Sequence, residues 1–441
     1  MNRMLHPSLS LALLLAVSAP ACAEEPLLDL YRDLHAHPEL SHQEKATSAI
    51  VARELRAAGF EVTERVGVYR DGSRAFGVVG LMRNGPGPTL LVRADMDALP
   101  LVEQTGAAYA SRVRGTTITG QEVGVMHACG HDLHATILVG VARAMAASRA
   151  AWHGTLMLVG QPSEETIDGA RAMLADHLYE RFGRPDRIIG LHDGVEQPAG
   201  QVALPIGAAL SGSTSVDVTI RGIGGHGAMP QRGRDPVLLA AEFVVQLQSI
   251  ASREQDPQDP VIVTVGSIHG GTKRNIIPDE VKLQLTTRWF SDNGREAVLA
   301  GIRRRAAGIA VAAGLPPDKA PVVTVLDDES TPETYNDPEQ SRRVEAVLAR
   351  TLGRDNVVEA PPATPSEDVG VFGLPGHQIP LTYFWLGAAE PKAFAAAEAA
   401  GESLPGPHNA RFLPDAEPAI ATGVKAMTAV ATALLQPQAT R

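Results

Sequence analysis

Three stretches limit what this chain can fold into: "TLLVRADMD" (89–97), "GTLMLVGQPSEE" (154–165) and "DRIIGLHDG" (186–194). Each is a short, nearly unbroken apolar run that ends in polar groups. A half-exposed strand alternates apolar and polar residues; an unbroken run of this length marks a strand covered on both faces. Helical stretches such as "LHATILVGVARAMAAS" (133–148) separate them. Strands alternating with helices predict an α/β fold built on a mostly parallel mixed sheet flanked by helices. In such sheets functional groups collect beyond the carboxyl ends of the strands. Asp95, Asp97, Glu164, Glu165 and His192 all stand at such ends, with the third strand expected to stop at His192.

The pattern changes near Ser211. "TSVDVTIRG" alternates like a strand with one wet face, and Asp235 and Pro236 supply a cap and a first turn for a helix. The strands "PVIVTVGSI" and "VKLQLTTRWF", a helix through "REAVLAGIRRRAAGIAVAAG" and the strand "PVVTVL" complete the order β-α-β-β-α-β. That order predicts an inserted α+β, ferredoxin-like domain over residues 212–326. It divides the catalytic unit into residues 24–211 and 327–441. The alanine-rich "AFAAAEAAGESLPGP" reads as a surface excursion before His408.

Residues 1–23 read as a secretory signal: Arg3, the apolar run "LSLALLLAVSA", then Ala21-Cys22-Ala23. The run is too short to span a bilayer, so export to the periplasm or the medium is expected, with no membrane insertion afterwards. Cys22 as a lipid attachment point is a weaker alternative. Cleavage leaves Cys129 as the single thiol, a liability in an oxidising compartment unless buried or held by a metal. The formal charge of −11 argues against nucleic acid, whose phosphates need a basic face. Apolar residues at 44% and charged residues at 20% fit an ordinary globular chain that acts on a small molecule.

The chemistry concentrates in "MHACGHDLH" (126–134). Cys129 and His131 alternate with small residues, and an extended backbone would point both to one side. Thiolate and imidazole suit zinc, cobalt or manganese better than calcium or magnesium. His127 and His134 read more simply as hydrogen-bonded structural histidines. A small zinc finger is excluded, since no second Cys or His pair follows at finger spacing. In "QPSEE", two adjacent carboxylates at a buried strand end are costly unless a cation neutralises one. One can then ligate while its neighbour takes a proton. Gly222-Ile223-Gly224-Gly225-His226-Gly227 matches the glycine spacing of a dinucleotide fingerprint, but Pro230 and Gly233 follow and no helix opens at its last glycine.

Taken in order, "DLHAHPELSHQE", "VRADMDALP", "MHACGHDLH", "QPSEE", "GIGGHGAMP", "GGTKRNIIPD", "TTRWF", "PSEDVGVF" and "HNARF" resemble the metal-dependent aminoacylase and carboxypeptidase family, with its hippurate and indole-acetyl-amino-acid hydrolases. The resemblance implies a zinc-peptidase-like catalytic domain and a lid, through which a homodimer could form. It implies a pair of divalent cations, zinc first and manganese or cobalt next, on Cys129, His131, Glu165, His192 and His408. Glu164 becomes the general base and Asp97 the carboxylate that orients a ligand. His226 would hold the carbonyl oxygen, and Asn275 and Arg288 the substrate carboxylate. The expected activity is amide hydrolysis of N-acyl amino acids or short peptides with a free carboxylate. Departures stand at Asp193, Gly194, Ser211, Gly227 and Gln231, and bear on pocket shape and acyl preference. Two rivals remain at this level: a cysteine hydrolase with Cys129 as nucleophile and His131 as base, and a periplasmic binder of acyl amino acids that does not cut them.

Overall fold

The computed structural model describes residues 25–436, so the signal read over residues 1–23, with Cys22, lies outside the described residues. The three apolar stretches become strands of one eight-stranded sheet. Its order is Glu61–Val68, Arg74–Asn84, Gly154–Gln161, Thr89–Asp95, Arg187–Pro198, Leu381–Ala389, Val202–Leu204 and Val357–Glu359. The four strands from Gly154–Gln161 to Leu381–Ala389 run parallel, with Leu91 opposite both Met157 and Ile188. Their carboxyl ends therefore open on one edge.

Both faces are covered. Leu90, Val92, Leu156, Leu158, Ile189 and Leu191 face a core shared with the helices Glu25–Ala36, His131–Ala147 and Ala416–Leu434. Leu91, Met157, Val159 and Ile188 face a second core beneath the helix Gly169–Ala175. Each fully buried Leu or Ile contributes roughly 1.5–3 kcal/mol relative to exposure. That is why polar residues appear in these strands mainly at their ends.

The strand expected to stop at His192 runs on to Pro198. The parallel partner Leu381–Ala389 continues beside it, pairing Gly387 with Gly194 and Ala389 with Pro198, so the ladder has no reason to end at the histidine.

The strands Gly212–Arg221, Ile262–Gly270, Glu280–Trp289 and Val322–Thr331 form a separate four-stranded antiparallel sheet. The helices Pro236–Ser249 and Asp292–Ala312 pack on one of its faces through Phe243, Leu247, Ile302 and Ile309. Asp235 accepts the Val237 N–H at 2.9 Å and caps the first of these helices. The last strand extends to Thr331, beyond the expected 326, because Ser213 pairs with Thr331. The glycine fingerprint at 222–227 opens no α-helix; a single 3-10 turn follows at Pro230–Arg232 and the next α-helix begins at Pro236. The alanine-rich excursion forms the helix Pro391–Ala400, with no buried residue. No helix among the described residues is long and apolar enough to cross a membrane.

Candidate metal and catalytic site

At the carboxyl edge of the large sheet the candidate residues converge. Cys129 Sγ lies 3.4 Å from His192 Nε2, and His408 Nε2 lies 3.4 Å from Glu165 Oε2. His131 Nε2 is 4.0 Å from Glu165 Oε1 and 3.9 Å from Glu164 Oε2. Donor atoms of Cys129, His131 and His192 fall within 4.8 Å of one another, and so do those of Cys129, Glu165 and His408. Cys129 thus belongs to two adjacent donor groups, which is the arrangement a bridging thiolate requires.

The route by which Cys129 and His131 meet differs from the expected extended backbone. His131 starts the helix His131–Ala147, and Gly130 before it adopts φ +77°. This left-handed turn swings the two side chains together. A Cβ at Gly130 would also overlap the Asp193 carboxylate, so glycine is needed for both conformation and space.

Two histidines are anchored through Nδ1 and turn Nε2 toward the cluster. His131 Nδ1–H donates to the Asp97 carbonyl at 2.8 Å, and His192 Nδ1–H donates to the Asp193 carbonyl at 2.7 Å. Each Nε2 therefore faces the cluster, as metal-ligating imidazoles are arranged. His131 Nε2 and Glu165 Oε1 are buried without any hydrogen-bond partner. Such orphaned atoms are rare in folded proteins, and a shared cation accounts for both. The donor set of one sulfur, three imidazoles and a carboxylate fits zinc-type chemistry and exceeds what a single tetrahedral ion takes.

The electrostatics reflect the excess of carboxylates around the cluster. Burial pushes the Cys129 thiol well up, and Glu165, Glu164, Asp193 and Asp95 push it further, so only a nearby cation would make it a thiolate. Burial lowers His131, but Asp95 and Asp97 outweigh it and hold the ring well above its ordinary pKa. Burial and then the neighbouring Glu367, Glu165 and Asp368 raise Glu164 well above the carboxylate range. A carboxylate in that position takes up a proton readily.

Asp97 is a hub. Its Oδ1 accepts the Glu164 N–H at 3.1 Å, and its Oδ2 accepts the Glu165 N–H at 3.0 Å and the Ser41 hydroxyl at 2.6 Å. It ties together the paired glutamates, His131 and the N-terminal segment.

The inserted layer is a different case. His226 and Asn275 come together, with the Gly227 N–H donating to the Asn275 carbonyl at 2.9 Å, but both are exposed. Arg288 is half-buried and donates to Ser213 Oγ and Thr286 Oγ1 at 2.7 and 2.6 Å. Among the described residues no carboxylate pairs with it, and no hydrogen bond or ion pair joins these three residues to the cluster.

Three sets of supporting residues complete the site, and of these only His134 was read from the sequence, as a hydrogen-bonded structural histidine. Arg93 is fully buried and donates to Gln161, Asp95, Glu367 and Asp368. His134 donates from Nδ1 to Asp95 at 2.6 Å; burial lowers this ring, but Asp95 and Asp193 raise it to about 9. His35 bridges Asp132 and Glu103 at 2.7 and 3.2 Å; burial opposes its charge, yet the two carboxylates lift it to about 10. Apart from Asp95 beside Arg93, their partners are distant in sequence. The available signal was a charged residue inside an apolar run, as at Arg93.

Comparison with known proteins follows the same lines. Residues 91–433 match the family described as peptidase family M20/M25/M40. The chain is 33% identical over 372 residues to thermostable carboxypeptidase 1 of Saccharolobus solfataricus, covering 84% of this chain and 87% of that protein. It is 34% identical over 341 residues to the hippurate hydrolase of Campylobacter jejuni, covering 77% and 82%. The fold is similar to a dinuclear metal-binding M20 peptidase of Bacillus subtilis, with a TM-score of 0.75, 26% identity and coverage of 94% and 99%. The chain therefore belongs to peptidase family M20/M25/M40 as a metal-dependent hydrolase of amides or peptides.

Proposed function

We propose that this protein hydrolyses the amide bond of N-acyl amino acids, or of short peptides, that carry a free carboxylate. The observation that carries this reading is the convergence of five donors around the orphaned His131 Nε2 and Glu165 Oε1, with the Glu164 carboxylate beside them. Cys129, His131, Glu165, His192 and His408 would hold two divalent cations, zinc in the first instance. Bound there, such ions acidify a water molecule and polarise an amide carbonyl. Glu164 takes the proton of the attacking water and returns it to the leaving amine. Asp97 keeps both glutamates and His131 in register. Arg288, a guanidinium without an acid partner, suits a substrate carboxylate. Relatives named for carboxypeptidase, hippurate and N-acetyldiaminopimelate hydrolysis favour the same substrate class.

The test combines a panel of N-acyl amino acids with metal analysis of the same sample. Chelation is expected to abolish release of the free amino acid from hippurate, and zinc or manganese to restore it. Activity that survives complete metal removal would refute the reading. A cysteine-nucleophile route is disfavoured because the Cys129 sulfur is buried among carboxylates that suppress its ionisation.

We further propose a homodimer through the inserted layer. The strand Ile262–Gly270 is an unpaired sheet edge that exposes Ile262 and Ile268, and the adjacent helix exposes Leu238 and Val245. An edge of this kind pairs with its own copy about a twofold axis. His226 and Asn275 would then serve the partner's site. Light scattering should give twice the chain mass, with Ile268→Lys monomeric; a monomeric wild type would contradict this. The same preparation tests export, since removal of the signal predicts Glu24 as the first residue of the mature protein.

A further inference from the structure

The N-terminal marker "DLHAHPELSHQE" contributes Ser41 to the Asp97 hub, but its final residue, Glu44, has no part in the chemistry so far described. Glu44 is fully buried and directly precedes the helix Lys45–Ala57. Its side chain makes no hydrogen bond to that helix end, the nearest ready donor. The carboxylate reaches instead to Ser163, 119 positions away in sequence. Glu44 Oε1 accepts the Ser163 N–H at 2.8 Å, the Ser163 hydroxyl at 2.9 Å and the His42 N–H at 3.0 Å.

Ser163 needs holding. After the strand Gly154–Gln161 the chain turns sharply, and Ser163 sits at φ +54°, a left-handed conformation that a non-glycine residue adopts only under constraint. The Tyr69 hydroxyl completes the clamp, donating to Ser163 Oγ at 2.6 Å, with the His42 ring stacked 4.0 Å from the Tyr69 ring. Three successive backbone N–H groups thus end on carboxylates: Ser163 on Glu44, Glu164 and Glu165 on Asp97. Among the described residues no hydrogen bond reaches the Glu164 carboxylate itself. Its direction is set by the backbone that carries it.

We propose that Glu44 is the positioning residue for Glu164, clamping the strained turn at Ser163 so that the proton-accepting carboxylate points at the reacting centre. This rests on Glu164 being the base. Glu44 accepts three hydrogen bonds through one oxygen, while Oε2 is buried without a partner. Glutamine can therefore reproduce the clamp with its amide oxygen, whereas alanine cannot.

The experiment measures kcat and KM for hippurate on zinc-loaded enzyme, with metal content and melting temperature for each variant. Glu44→Ala is expected to lower kcat about 10²-fold, since a displacement near 1 Å at a reacting group has that effect, with KM and bound zinc unchanged. Glu44→Gln is expected to recover most of that loss. Tyr69→Phe, a milder cut in the same clamp, should lower kcat several-fold and serves if Glu44→Ala does not fold. In a Glu164→Gln background, Glu44→Ala should lower kcat no further, because the two act through one carboxylate. Undiminished kcat in both Glu44→Ala and Tyr69→Phe, a loss matched by lost zinc, or full additivity with Glu164→Gln would overturn the proposal. An active Glu164→Gln would instead refute the base assignment, whatever Glu44 does.

Discussion

Glu164→Gln is expected to lower kcat by about 10²- to 10⁴-fold, the range a positioned general acid–base contributes. Bound metal should stay at the wild-type level, because the groups Cys129–His131–His192 and Cys129–Glu165–His408 do not contain Glu164. The side chain keeps its shape and loses only its capacity to accept a proton. Burial among Glu367, Glu165 and Asp368, which raises the Glu164 carboxyl, shows why this residue and not an exposed one suits the task. KM should change little, since no part of the proposed carboxylate grip lies on Glu164. Steady-state kinetics on hippurate with metal analysis check both statements. Turnover near wild type in a metal-replete Glu164→Gln enzyme would remove the assignment.

Arg93→Met is expected to destabilise the fold by about 3–5 kcal/mol, the usual consequence of removing one partner from a buried ionic group. Arg93 lies inside the central strand Thr89–Asp95, wholly buried, against Asp95, Glu367, Asp368 and the hydroxyl of Tyr383. Without the guanidinium three carboxylates share a site that water does not reach. The effect has a sign in pH. Burial raises Asp368 to about 8, Arg93 pulls it down and Glu367 pushes it up, so the folded state binds a proton more tightly than the unfolded chain does. Such a group favours folding most at low pH, and its contribution is lost as pH rises from about 4 to about 8. The deficit of Arg93→Met should accordingly be largest above pH 8 and shrink toward pH 5. Adding Glu367→Gln and Asp368→Asn to Arg93→Met should recover part of it at neutral pH. Urea unfolding at pH 5 and pH 8.5 measures this, and a deficit independent of pH would contradict the charge-based cause.

The sheet was legible because its physics is local. A short apolar run such as the start of Thr89–Asp95, bounded by polar residues, reads as a covered strand, and the helical spacing between runs favours parallel neighbours with their polar ends on one edge. Asp235 before Pro236 marked a helix start for the same local reason, through a side chain that caps its own next turn. Strand ends were less legible. Whether a ladder stops at His192 or runs to Pro198 depends on Leu381–Ala389, a partner nearly two hundred residues away.

The site divides along the same line. Sequence alone identified residue types whose chemistry suits a cation: a lone thiol, imidazoles and paired glutamates at strand ends. Tertiary structure decided how they meet, through the left-handed Gly130 that brings Cys129 and His131 together and through His408, carried in from the far end of the chain. It also decided the buried partners Arg93–Glu367, His35–Asp132 and Glu44–Ser163. A charge can be buried only where its counter-charge or donor is brought beside it, and that pairing exists only once the chain has folded.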